Sequence, residues 1–178
     1  MLALVLFTTI FTFSSFRDSG EQLIVVVDAA HGGEAGRYIE KDVSLNISKI
    51  LASYSGKKVK IIETRNTDKF ISLNDRVKFI NSVNPDLVVS LHSNAYLKDT
   101  LVNGVEAYYY DHNEFNEKSR NYSQILLENQ LDKFSNRGVK RAGFFMIKNI
   151  NCPDIVLELG FMTNERDRAI LTSKRHQK

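Results

Sequence analysis

Cysteine is nearly missing from this chain, and its scarcity settles two matters. Cys152 is the only one in 178 residues, so no intrachain disulfide can form. A single thiol beside Pro153 reads as a small core residue rather than a nucleophile. Proline is almost as rare, with two residues, and neither an internal repeat nor a low-complexity stretch marks a linker between domains. A strong excess of charge is lacking too. The formal net charge is +3, the basic residues are scattered among acids, and no aromatic-studded basic groove stands out, so no nucleic-acid partner is expected. The apolar run at residues 1–13 is too short to span a bilayer comfortably, and Arg17-Asp-Ser-Gly20 follows it. Residues 1–20 therefore read as a secretory signal peptide, or as an N-terminal anchor if retained, although the usual basic residues do not precede the run. Export to the periplasm, the cell wall or the extracellular space follows from that reading. No other membrane-spanning segment is expected.

What the chain does contain fits one soluble domain over residues 21–178. Hydrophobic residues make up 43% and charged residues 25%, which is ordinary for a globular protein with a sizeable core. Short apolar runs alternate with helical patterns. That alternation predicts an α/β domain with a mostly parallel, mixed central sheet of about six strands and helices on both faces. Strands are expected at 23–28, 59–63, 86–91, 104–110, 144–147 and 154–158. Residues 42–54 place Val43, Ile47, Ile50, Leu51 and Tyr54 on one helical face. Ser72 caps a helix carrying Leu73, Val77 and Ile80. A longer helix spans about 113–134 with Tyr122, Ile125, Leu126 and Leu131. The segment from Glu165 begins as a helix and runs out of apolar residues after Leu171, as if the terminal helix were cut short. Nothing in the pattern calls for a partner subunit, and a monomer is expected.

Four polar residues are spaced so that this topology brings them together. His31 follows the first strand, Glu40 opens the returning helix, His92 follows the third strand, and Glu158 closes the last. In open α/β sheets the carboxyl ends of strands are where sites assemble. Two imidazoles and a carboxylate make a three-ligand zinc site with an open position, and a further carboxylate is the usual base. Taken singly, each residue has a plainer explanation, as a hydrogen-bonded loop histidine or a helix-start glutamate favoured by the dipole. A glutamate ending an apolar strand is harder to dismiss, because a buried carboxylate without a partner is costly. Glu34 competes with Glu40 as the carboxylate ligand. Glu34 lies between Gly33 and Gly36, whereas a helix preorganises Glu40, which favours Glu40.

At these residues the chain resembles the zinc-dependent N-acetylmuramoyl-L-alanine amidases of the amidase 3 family. The matching blocks are Val27-Asp-Ala-Ala-His-Gly-Gly33, Glu40-Lys-Asp-Val-Ser-Leu-Asn46, Thr64-Arg65, Ser72-Leu-Asn-Asp-Arg76, Val89-Ser-Leu-His-Ser-Asn94, Gly104-Val-Glu106, Arg137-Gly-Val-Lys140 and Val156-Leu-Glu-Leu-Gly-Phe-Met-Thr-Asn164. They cover essentially the whole chain after Glu21. The resemblance implies one zinc ion bound by His31, Glu40 and His92, with Glu158 as the catalytic carboxylate. Its substrate would be peptidoglycan, cut between N-acetylmuramic acid and L-alanine. The chain departs from the family at Ala29-Ala30, where Pro-Gly is usual, in a shorter loop between His31 and Glu40, and in its terminal helix. Some relatives insert a blocking helix after the fourth strand. Here only Asp111 to Lys118 intervenes, so that helix is expected to be absent.

Asn94, Arg65 and Arg76 are expected to support the site, the two arginines as ion-pair or hydrogen-bonding residues. Lys140 and Arg141 are candidates for attracting stem-peptide carboxylates, and Asn94 and Lys140 are the expected substrate-binding residues. Two other functions compete with the amidase reading: a catalytically silent peptidoglycan-binding or regulatory protein, and a zinc peptidase cutting within the stem peptide.

Overall fold

The computed structural model describes residues 1–14, 21–33, 38–128 and 133–178. The strands are β1 Leu23–Ala29, β2 Val59–Glu63, β3 Leu87–Asn94, β4 Val105–Tyr109, β5 Asn136–Arg141 and β6 Asp154–Phe161. The helices are α1 Leu2–Ser14, α2 Tyr38–Ser53, α3 Leu73–Val83, α4 Asn116–Glu128, α5 Phe145–Asn149, α6 Glu165–Thr172 and α7 Lys174–Gln177. The strands form one sheet in the order β2-β1-β3-β6-β4-β5. Neighbours are parallel except β4 and β6, which run antiparallel. The expected mixed α/β sheet is thus the observed one.

Alternation along the central strands divides the core in two. Val25 and Val27 of β1 and Val89 and Leu91 of β3 join Val43, Ile47 and Leu51 of α2 and Leu126 of α4 in the larger cluster. Val26 and Val88 point the other way and pack with Ile80 of α3 and Met146 of α5. Strands covered on both faces need apolar residues at every position, which is why β1 reads as a continuous run. Ser72 caps α3 as expected, its hydroxyl accepting from Asp75 N–H at 3.1 Å. Cys152 is buried in the smaller cluster, where burial pushes its thiol up to about 12.

The apolar N-terminal run forms α1. Its Leu6 and Ile10 are buried in the larger cluster, each burial being worth about 1.5–3 kcal/mol. No helix among the described residues is long and apolar enough to cross a membrane. Arg17 to Gly20, Glu34 and Leu131 lie outside the described residues.

Several expected boundaries move. Residues 144–147 are not a strand: they enter α5, with Met146 and Ile147 buried. A run of four apolar residues fits a strand or a helical turn equally well. The missing strand is β5, an edge strand whose polar residues give no apolar run. β3 and β6 continue beyond 91 and 158, so His92 lies inside its strand rather than past it, and Glu158 lies within its strand rather than at the end. Polar side chains do not interrupt a ladder made by the backbone. At the other end α6 stops at Thr172, Ser173 is extended, and the short α7 folds back so that the Gln177 amide donates to Leu171 O at 2.6 Å.

Candidate metal centre

Registers place the site residues on one face of the sheet. His92 of β3 is level with Glu158 of β6, and Glu158 is directly opposite Glu106 of β4. Asp28 is level with Ser90, two residues before His92. With a side-chain period of two, Asp28, Ser90, His92, Glu158 and Glu106 share the face on which Val26 and Val88 pack with α3 and α5.

His31 arrives at this face through a tight turn. Its φ is 58° and that of Gly32 is 124°. A left-handed backbone costs a non-glycine residue roughly 1–2 kcal/mol, and persists where its surroundings hold it. Arg76 donates to His31 O and, over 2.8 Å, to Ala29 O. Arg65 donates to Ala29 O at 3.0 Å, Ala30 O at 2.7 Å and Lys41 O at 2.8 Å. Beneath them, Asp28 is buried and pairs with Arg76, while the Thr64 hydroxyl at 2.6 Å and the Ser90 hydroxyl at 3.2 Å complete its shell. A Cβ on Gly32 would lie 2.2 Å from Lys69 O, so only glycine lets the turn close on that segment.

Glu40 sits in the first turn of α2, where the helix dipole favours a carboxylate. Its Oε1 lies 3.1 Å from His31 Nε2 and 3.3 Å from His92 Nδ1, and accepts from Ser93 N–H at 3.2 Å. Donor atoms of His31, Glu40 and His92 lie within 4.8 Å of one another, a geometry compatible with a metal ion. The short loop has not carried Glu40 away. Burial acts to raise the Glu40 pKa, but hydrogen bonds from both histidines and Ser93 bring it down to about 2. His92 is pushed upward, its hydrogen bond to Glu40 and the charge of Glu158 outweighing burial.

Glu158 differs from every other acid nearby. Its Oε2 is buried and makes no hydrogen bond. Burial, reinforced by the charges of Glu40 and Glu106 against those of His92 and His31, raises its pKa to about 7. A carboxyl group poised near neutrality inside a cleft has the protonation balance that acid–base work needs. The cleft, of about 340 Å³, is lined by His92, Glu158, Phe144, Phe145 and Met146.

Of the expected substrate-binding residues, Asn94 donates to Glu106 Oε1 at 3.0 Å and Lys140 donates to Glu106 Oε2. Arg141 points away and meets Asp111 at 3.4 Å. Three participants carry no signal strong enough to assign them from sequence: Glu106, Tyr108 and Arg137, the last two donating to Glu106. The available signal was the two-residue spacing of Glu106 and Tyr108 on a strand, which puts both on one face.

These features define an α/β domain with a His–Glu–His cluster and a poised glutamate on one sheet face. Known proteins share both the sequence and the fold. Residues 25–178 match the family model described as N-acetylmuramoyl-L-alanine amidase, and the chain belongs to that family. It is 27% identical to the germination-specific N-acetylmuramoyl-L-alanine amidase of Bacillus subtilis, over 86% of this chain and 73% of that protein. The crystal structure of an N-acetylmuramoyl-L-alanine amidase from Clostridium difficile 630 superposes with a TM-score of 0.82 and 28% identity, covering 88% of this chain and 89% of that one. AmiC2 of Nostoc punctiforme, also an N-acetylmuramoyl-L-alanine amidase, gives 0.72 and 34% identity over 87% and 88%.

Proposed function

We propose that this protein is a zinc-dependent N-acetylmuramoyl-L-alanine amidase, hydrolysing the amide between the lactyl group of N-acetylmuramic acid and the L-alanine of the stem peptide. The observation that carries the reading is the unbonded, buried Glu158 oxygen one strand away from the His31–Glu40–His92 cluster. Nitrogen and carboxylate donors in that number suit zinc with a coordination position left for substrate or solvent. His31, Glu40 and His92 would hold the ion, which when bound supplies Lewis acidity that polarises a carbonyl and makes water ionisable near neutral pH.

The protein's own groups supply the rest. Glu158 takes a proton from the attacking water as the oxygen adds to the amide carbon. It returns that proton to the alanine nitrogen as the C–N bond breaks, and the second water proton follows from the new carboxyl group, leaving a lactyl carboxylate and an ammonium group on alanine. Such positioned proton transfer contributes about 10²–10⁴-fold. Arg65 and Arg76 keep the His31 turn in place, while Asn94 and Lys140, both tied to Glu106, belong to the substrate-facing edge. Residues 21–178 carry every catalytic group, and residues 1–20, whose α1 packs on this domain, would direct export or anchoring, which would put the enzyme where peptidoglycan is. Among the described residues no helix intervenes between β4 and α4, so the domain is expected to act without an activator.

Mass analysis of peptidoglycan digested with the zinc-loaded protein tests this reading. Intact stem peptides with free N-terminal alanine, together with unmodified glycan, are the expected products. Shortened stem peptides would establish a peptidase instead, and unchanged muropeptides a binding protein.

A further inference from the structure

β5 is built irregularly beside the site. Val105 of β4 is level with Asn136 and Ala107 is level with Val139, so β5 spends three residues where β4 spends two. In a regular strand Arg137 and Lys140, three apart, would point to opposite faces. The extra residue re-aims the chain near Gly138, whose φ is 83°. A Cβ built there would meet nothing within 4 Å, so glycine answers to the backbone angle and not to crowding. The outcome is that two cations share one acceptor. Arg137 Nε donates to Glu106 Oε2 over 2.9 Å, and Lys140 Nζ donates to the same oxygen.

Glu106 itself is 2% exposed, and its other oxygen accepts from Tyr108 at 2.6 Å and Asn94 at 3.0 Å. These bonds outweigh burial and hold its pKa below the usual carboxylate value. The cations, however, are not buried: their side chains are 34% and 39% exposed. A lysine has three donor hydrogens and an arginine five, so each keeps donors beyond those taken up by Glu106 and, for Arg137, by Asn103 O at 3.4 Å. Two positive charges on one negative leave a surplus that neutralising Glu106 does not require. The cluster also stands next to the chemistry. Glu106 faces Glu158 across the β4–β6 pair, and Lys140 is level with Tyr108 one strand farther out. Two strand spacings are about 10 Å, which an extended peptide covers in roughly three residues.

We propose that Arg137 and Lys140, brought together on Glu106 by the β5 bulge, form a subsite that binds a carboxylate of the stem peptide two or three residues beyond the scissile amide. The identity of the peptide rests on the amidase reading. Recognition of the carboxylate does not, because binding can be measured without turnover.

The test is calorimetric titration of the full-length, zinc-loaded protein with L-alanyl-γ-D-glutamyl-L-lysine and with the same peptide carrying both carboxylates as amides. The acid form is expected to bind about tenfold tighter, the scale of one charge-assisted hydrogen bond. Lys140→Met and Arg137→Gln should each shrink that ratio, Lys140→Arg should keep it, and Arg141→Gln should leave it unchanged. Equal affinity for the two peptides in the wild type would overturn the subsite, as would absence of binding or a full ratio in Lys140→Met. Muropeptide hydrolysis, followed separately, reports on the amidase reading whichever way the titration falls.

Discussion

Two ends of one sheet face hold their charges in opposite ways. Beside β1, Asp28 and Arg76 are both buried, with side chains 2% and 3% exposed, and further arginine donors go to the Ala29 and His31 carbonyls. Beside β5, the acid is buried but its cations reach solvent. Charge at the first end is used up in fixing the shape of the His31 turn. Charge at the second end is anchored from below and presented outward. The difference separates a positioning network from a recognition surface, although both consist of the same residue types.

The largest effect should come from Arg76→Met. It leaves Asp28 buried with only hydroxyl partners, and breaking a buried pair in this way costs about 3–5 kcal/mol. A chemical denaturation midpoint should fall accordingly, and zinc affinity should fall with it as the His31 turn loosens. A loss no larger than that of a surface ion pair would erase the distinction between the two ends.

A third buried acid sharpens the contrast, because it pairs with no cation among the described residues. Asp154 opens β6 with both oxygens buried and unbonded. Burial pushes its pKa up to about 8, which the nearby Ser119 hydroxyl only moderates. An acid whose folded pKa is raised keeps its proton in the native state while the unfolded chain releases it. Its contribution to stability is therefore lost as pH rises from ~4 towards about 8. Asp154→Asn should remove that decline, so the variant gains melting temperature over the wild type at the upper end of the window and gains little at the lower end. Parallel pH profiles for the two proteins would refute the assignment.

The smallest stability effect is expected for Lys140→Met. Glu106 keeps Arg137, Tyr108 and Asn94, and half-exposed ion pairs contribute about 0–1 kcal/mol. A melting temperature close to wild type, combined with weaker binding of the acidic peptide, would place Lys140 among residues that face the ligand.

How much of this could be read from the sequence depended on what each residue contributes to the pattern. β1 was legible because a parallel strand buried on both faces is apolar at nearly every position. His31, Glu40, His92 and Glu158 were legible because polar groups at strand ends and a helix start imply a shared rim; the first three converge there, and Glu158 is level with His92. β5 was not legible: as an edge strand it reads Asn-Arg-Gly-Val-Lys-Arg, and its role comes from a bulge that only pairing with β4 creates. Arg137 was hidden for the same reason, since its three-residue offset from Lys140 argues against a shared face until the extra residue is seen. Residues 144–147 misled in the other direction. Their apolar run suits a strand, but it supplies Met146 and Ile147 to the core while Phe144 and Phe145 stay exposed at the cleft.

Zinc content per chain, measured on wild type, His92→Ala and Glu158→Gln purified alike, bears most directly on the division of labour among the four residues. One zinc per chain is expected in the wild type and in Glu158→Gln, which should nonetheless lose turnover, and none in His92→Ala. Retention of zinc by His92→Ala, or its loss from Glu158→Gln, would contradict a metal held by two histidines and Glu40 with Glu158 free to move protons.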